Sequence, residues 1–322
     1  MPLATDPSRL TRLRHRLEAA ALGGLIRLLG ALPPRTRYAL AGRLGQWARL
    51  VDRRHYRHAY DSLALRYGER GTPDKVRAVF RELGHLAAEM PLLGRKSPAE
   101  LRQMVREVEG QAHLDQVIAD PRGTLVLGVH AGNWELLGHL LPRFGLDPLH
   151  VVYRPLDNPI LEQRLRANRE RHGAQAIPRD QASRPVMGAL RRGQSVAMLL
   201  DQRARGKAAV HLPFLGEPAK ISTGLARFAQ KADCPILPVF LVRLGPERFR
   251  LVAFPPIEPG GYPATDDGLR DLTAEAVAAM EAGVALAPAQ WFWVHRLWRQ
   301  QPRELIPGGP PAPKWGGETP LK

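Results

Sequence analysis

Apolar residues in the first third of the chain recur at helical spacing. The runs 10–32, 38–51 and 76–93 each place leucine, valine and alanine along one face, and Pro33-Pro34 and Thr72-Pro73 interrupt them. Ser97-Pro98 opens a further helical run over 97–119. From Gly123 the pattern changes to short apolar runs at 124–129 (TLVLGV), 149–153 (LHVVY), 195–200 (SVAMLL), 236–244 and 249–254. Amphipathic stretches at 135–144, 158–172, 181–191 and 222–231 separate them, and further helices are predicted at 267–286 and 289–299. Strands alternating with helices predict an α/β fold: a mostly parallel central sheet flanked by helices, with an N-terminal helical region. The expected organisation is a basic helical region over 1–119, an α/β core over 120–300 and a disordered Pro/Gly-rich tail over 301–322.

Charge changes this picture. The 322 residues carry 47 Lys+Arg against 31 Asp+Glu, a net +16. In the first 60 residues twelve arginines face only Asp6, Glu18 and Asp52, so over half of the excess sits in the first fifth of the chain. Such a field attracts polyanions: nucleic acid, anionic lipid headgroups or an acidic carrier protein. No nucleic-acid-binding motif accompanies it, and the aromatics are not interleaved with the basic clusters, which leaves a basic nucleic-acid-binding protein as a remote alternative. The apolar stretch 19–32 is short and broken by Arg27, whereas a spanning helix needs about 20 nearly uncharged residues. Preceded by Arg9, Arg12, Arg14 and Arg16, it reads as a helix lying at a membrane surface, the alternative being an amphipathic helix packed on the domain. The single cysteine, Cys234, excludes an internal disulfide and a Cys-based metal cage.

In open parallel sheets ligands bind beyond the carboxyl ends of the strands. Three of the apolar runs end in polar residues there: TLVLGV in His130, LHVVY in Arg154 and SVAMLL in Asp201-Gln202. If the three strands are parallel, a base, a cation and a carboxylate–amide pair converge on one edge. The sharpest local feature is His130-Ala-Gly-Asn-Trp-Glu135, in which a Gly132-Asn133 turn carries Glu135 back toward the imidazole. The carboxylate would fix the tautomer, and the free ring nitrogen would take a proton from an attacking hydroxyl. Eleven histidines and 31 acids in 322 residues give about one such spacing by chance, so its placement on a strand-to-helix turn is what singles it out. The competing reading is a buried histidine and a helix N-terminal acid.

GVHAGNWELLG at 128–138 resembles the H-x4-D/E signature of the glycerolipid acyltransferases, and more closely the bacterial lipid A late (lauroyl/myristoyl) acyltransferase family. Further stretches match in order: VVYRPLDNPILEQ at 151–163, LLDQRARG at 199–206, PFLGEPAKISTG at 213–224, PILPVF at 235–240 and QWFWVHRLW at 290–298. The resemblance implies His130 as general base and Glu135 as its orienting partner. It implies Arg154 as a phosphate or acyl-group contact, and Asn133, Asp201, Gln202, Thr223 and Gly224 as substrate-binding residues. For Asp201-Gln202 a loop-fixing role stands beside substrate contact, and for Thr223-Gly224 a plain helix cap stands beside phosphate binding. The implied reaction is O-acyl transfer from an acyl thioester, on acyl carrier protein or coenzyme A, to a hydroxyl of a lipid A precursor, without metal or redox cofactor. A lysophospholipid, ornithine lipid or other glycolipid is the alternative acceptor. The implied partners are an acidic acyl carrier protein, an anionic lipid and a membrane surface, with no specific nucleic acid. The implied place is the cytoplasmic face of the inner membrane.

Overall fold

A computed structural model describes residues 9–204, 206 and 208–298; the tail predicted to be disordered lies outside them. Four helices come first: α1 (Arg9–Ala31), α2 (Pro34–Val51), α3 (Arg53–Tyr67) and α4 (Thr72–Arg95). Proline starts α2, where its missing amide costs nothing, and the Asp52 side chain caps α3 by accepting from the His55 amide. α2 and α4 cross backbone to backbone. A Cβ at Gly45 would stand 2.1 Å from the Phe80 carbonyl oxygen, and one at Gly84 2.1 Å from that of Ala41. No helix among the described residues is long and apolar enough to cross a membrane.

The remainder runs α5 (Pro98–Gln103), β1 (Val105–Glu109), α6 (Gln111–Ala119), β2 (Thr124–Gly128), α7 (Trp134–Leu140), β3 (Leu149–Tyr153), α8 (Pro159–Glu170) and β4 (Gln175–Pro178). It continues α9 (Ser183–Arg191), β5 (Ser195–Leu199), β6 (Ala209–Phe214), β7 (Glu217–Ser222), α10 (Gly224–Ala232), β8 (Ile236–Gly245), β9 (Arg248–Ala253) and α11 (Asp266–Leu286). Seven strands form one sheet in the order β1-β9-β8-β2-β5-β3-β4, and β6-β7 is a separate hairpin. β8, β2, β5, β3 and β4 are mutually parallel; β9 runs antiparallel to β8, and β1 follows β9. The α/β architecture with a mostly parallel sheet is as expected.

Side chains alternate along β2, so its two faces feed two cores. Leu125, Leu127 and Val129 join α9, α10 and α11, whereas Val126 joins α5, α6 and α7. All five residues of β2 are buried, as befits a central parallel strand covered on both faces.

Two local expectations fail, and one hairpin is unforeseen. The helix predicted over 97–119 is split by β1, whose Val-x-x-Val spacing fits a helix better than a strand; pairing with β9 decides. The hairpin β6-β7 lies in a stretch to which the pattern assigns no element, and the helix expected over 222–231 is present as α10. The helix predicted at 289–299 is instead a single 3-10 turn, Pro288–Gln290, followed through residue 298 by one bridge residue, Trp291, and a run of turns. Trp291 bridges to Ala131, and the Phe292 amide donates to the His130 carbonyl at 2.9 Å. In an unbroken apolar run such as WFWV, periodicity cannot separate helix from strand.

Candidate active site

His130 and Asp201 meet because their strands are neighbours in register. Gly128 pairs with Leu199 across β2 and β5, and each functional residue lies two positions beyond. The His130 Nδ1 lies 2.7 Å from Asp201 Oδ1, and the His130 backbone amide donates to Asp201 Oδ2 at 2.7 Å. The Trp291 indole donates to that same Oδ2, also at 2.7 Å. Asp201 is fully buried, which opposes ionisation, yet the neighbouring imidazole and these three donors hold its carboxyl below the ordinary carboxylate value. An ionised carboxylate facing Nδ1 fixes the proton there and leaves Nε2 as the basic nitrogen. The Gln202 amide nitrogen lies 3.3 Å from that Nε2.

Glu135 does not orient the imidazole. Its two oxygens accept from Arg169 Nη2 at 2.6 Å and Nε at 2.8 Å, a forked pair nearly closed off from solvent. The reason is geometric: α7 begins at Trp134, so Glu135 leaves on the first helical turn toward α8. The orienting carboxylate comes from the adjacent strand instead. Arg169 also lies over the Tyr153 ring at 4.7 Å, and its Nη1 is buried with no hydrogen-bond partner.

The other expected substrate contacts are sorted by the same geometry. Arg154 is half exposed and pairs with the exposed Asp157 at 3.4 Å; the cation in the cavity wall is Arg169. Asn133 is wholly buried and cannot touch substrate: its Oδ1 accepts from the Leu136 amide at the start of α7 and its Nδ2 donates to Glu89 at 2.9 Å. The Thr223 hydroxyl is buried and accepts from Arg227 Nε, its amide is bonded to the Ala208 carbonyl, and the Gly224 amide donates to the Ser222 hydroxyl. These amides are already engaged, and the Thr223 side chain makes no capping bond; the Ser222 hydroxyl takes the Gly224 amide instead.

Sequence reading missed Arg169, Glu89 and Arg243. Arg169 continues the i, i+4 line from Leu161 and Leu165 on α8, a cation where the helical stripe calls for a leucine. Arg243 interrupts the buried run of β8, and Glu89 that of α4. The Arg243 guanidinium grips both oxygens of Glu89, reaches Glu82 at 2.8 Å and lies 3.4 Å from the Gly132 carbonyl. Tyr38 from α2 donates to Glu89 at 2.8 Å. A buried ionic network thus underlies the turn that carries His130.

That turn requires glycine. Gly132 has φ +59, and a Cβ there would lie 1.8 Å from the Leu241 carbonyl oxygen. Gly132→Ala is therefore expected to destabilise the protein by at least about 1–3 kcal/mol, with activity falling alongside, as read by urea unfolding.

Behind Glu135, His139 is buried and its Nδ1 lies 2.9 Å from that of His172. Burial, then the His172 and arginine charges, push His139 down to about 4. A depressed histidine binds its proton in the unfolded chain first, so its stabilisation is present above about pH 6.5 and is lost as pH falls toward 4. His139→Gln should flatten the fall of Tm across that window; an unaltered pH–Tm curve would contradict the assignment.

A small apolar cleft of about 70 Å³ opens beside His130. Val126, Gly128 and His130 share one face of β2, and Ala197 and Leu199 of β5, Val151 of β3, and Leu137, Gly138 and Leu141 after His130 complete its apolar wall. Trp134, Glu135 and Arg169 stand in the same lining. An imidazole held by a buried carboxylate, an arginine with one unbonded donor and an apolar cleft can draw a proton from a hydroxyl beside an apolar surface.

Comparison with known proteins agrees. Residues 7–300 match the model of the family described as bacterial lipid A biosynthesis acyltransferase. The chain is 28% identical over 285 residues to the lipid A biosynthesis palmitoleoyltransferase of Escherichia coli K12, covering 87% of this chain and 90% of that one. It is 27% identical over 290 residues, with the same coverage, to the lipid A biosynthesis lauroyltransferase of that organism. A phosphatidylinositol mannoside acyltransferase of Mycobacterium tuberculosis is 28% identical over 197 residues, 59% of this chain and 61% of that one. A parallel-sheet edge that holds His130 against Asp201, and a family match across almost the whole chain, lead to one conclusion: this chain belongs to the bacterial lipid A biosynthesis acyltransferase family and is an acyltransferase acting on a lipid.

Proposed function

We propose that the protein transfers a fatty acyl group from an acyl carrier protein thioester to a hydroxyl of a lipid A precursor. The observation that carries the chemistry is the His130–Asp201 contact at 2.7 Å at the mouth of an apolar cavity. The acceptor hydroxyl gives its proton to His130 Nε2 as its oxygen attacks the thioester carbonyl. The Asp201 carboxylate stabilises the imidazolium that forms. Arg169 Nη1, the donor without a partner, faces the charge that develops on the carbonyl oxygen, while Glu135 holds that guanidinium in place. Collapse breaks the carbon–sulfur bond, and the thiol departs with the proton from His130. The products are an ester and a free carrier thiol.

Two surface features support the partners. The net +16 charge suits docking of an acidic carrier protein. On α1 and α2, Leu10, Leu13, Leu17, Leu28, Trp47 and Leu50 are exposed among arginines, the composition of a helix pair resting on anionic lipid at the cytoplasmic face of the inner membrane. The test is direct. Purified protein is incubated with acyl carrier protein loaded with a labelled chain and with a lipid A precursor, and the lipid gains the mass of one acyl group. The mycobacterial relative favours a second reading, acylation of a different glycolipid. Transfer to phosphatidylinositol mannoside with none to the lipid A precursor would establish that one instead.

Chain length is set by the cavity. Gly138 lies in its wall, and a Cβ there meets only Val151 at 3.7 Å. Gly138→Leu fills the space without backbone conflict and should shift the preferred donor to a chain shorter by several carbons, measured with thioesters of graded length. An unchanged preference would place the chain elsewhere.

A further inference from the structure

Acyl transfer to a lipid joins two hydrocarbon-bearing molecules at one imidazole, and the reading above gives the cleft lined by Trp134 to the donor chain. A second apolar space lies nearby. It is a groove of about 390 Å³ between α1, α2 and α4, walled by Leu25, Leu29, Leu44, Ala48 and Leu83 and ending at Phe292. The close crossing at Gly45 and Gly84 forms its floor, so no side chain fills it.

Phe292 connects this groove to the chemistry. Its amide is bonded to the His130 carbonyl, its ring centroid lies 6.2 Å from the imidazole, and it meets Trp134 edge to face at 5.8 Å. Trp134 lines the first cavity and Phe292 the groove, so the two apolar spaces come within one ring of His130. At its rim the groove is continuous with apolar surface: Leu25 and Leu44 are partly exposed, and Leu28 and Trp47 beside them are more so. The only polar lining, Asp52 bonded to His55, sits beside the exposed Arg53 and Arg54.

We propose that this groove binds a hydrocarbon chain already carried by the acceptor lipid, which places that lipid's hydroxyl at His130 Nε2. The proposal rests on the acyl-transfer reading above and assigns the acceptor's half of the site. Exposed leucines lead a chain from the surface into the groove, and the arginines at its polar end suit a phosphate on the headgroup. Donor and acceptor chains then approach the base from different sides, which prevents either from occupying the other's place.

The test uses the full chain with two photoprobes: a lipid A precursor bearing a diazirine in one acyl chain, and acyl carrier protein loaded with a diazirine-bearing fatty acid. The acceptor probe should label Leu83 and Phe292, and the donor probe Leu137 and Met198. Ala48→Trp, an exposed position in the groove wall, should raise the acceptor KM at least tenfold while the donor KM moves less than twofold. Donor label in the groove, acceptor label confined elsewhere while transfer proceeds, or an unmoved acceptor KM would overturn the assignment. If the unmodified protein transfers to neither a lipid A precursor nor another glycolipid, the underlying reading fails, and this one with it; that outcome is recognised by absent turnover rather than by the position of label.

Discussion

Asp201→Asn is expected to lower kcat by about 10²–10⁴-fold, close to the loss from His130→Ala, while the donor KM changes little. An asparagine keeps the shape of the side chain, but it can neither anchor the Nδ1 proton as a carboxylate does nor stabilise the imidazolium. Burial and the absence of any other carboxylate bonded to His130 among the described residues make the effect large. Glu135→Gln gives the contrasting result. It loosens Arg169 rather than the base, so turnover should fall while the acid limb of the pH–rate profile stays in place. If Glu135→Gln moved that limb and Asp201→Asn did not, the two carboxylates would have to exchange roles.

The pH behaviour of the pair follows from the direction of the Asp201 shift. Its carboxyl is held below 3.8, so its contribution to the fold is complete above that value and is lost only as pH falls through the lowered one.

The second large effect is structural. Removing one partner of the Glu89–Arg243 pair, as in Arg243→Met, should cost about 3–5 kcal/mol, because it leaves a charge buried without compensation. Glu89 would then retain only Tyr38 and Asn133. Since Asn133 also opens α7 and Gly132 precedes it, the damage reaches the catalytic turn, and kcat should fall even at temperatures where the variant is folded. Denaturant unfolding together with turnover at low temperature measures both. A fully active variant that merely melts earlier would show that the network supports the fold without shaping the turn. The double variant Glu89→Leu/Arg243→Met, which removes both charges, should recover part of the stability.

How far the sequence could be read varies with the range of the interaction. The central strands were legible because a covered parallel strand is a short apolar run bounded by turn residues, and β2, β3 and β5 are such runs. β1 and β4 were not. β4 has only four residues, and β1 carries only one buried residue, so pairing with β9 rather than local pattern makes β1 a strand. The Trp291–Val294 stretch is apolar at every position, and its non-helical path is held by bonds to Ala131 and His130.

For the site, the sequence by itself determined the turn that presents His130 and the sheet edge on which His130, Arg154 and Asp201-Gln202 emerge. Those features depend on residues adjacent in the chain and on strand polarity, which a parallel α/β pattern dictates. Only the tertiary structure decided which carboxylate serves the imidazole. Glu135 is five positions away but leaves on a helix toward Arg169, whereas Asp201 is 71 positions away and lies directly opposite on the neighbouring strand. Register between strands, not separation along the chain, sets that contact, and a single sequence carries no direct record of register.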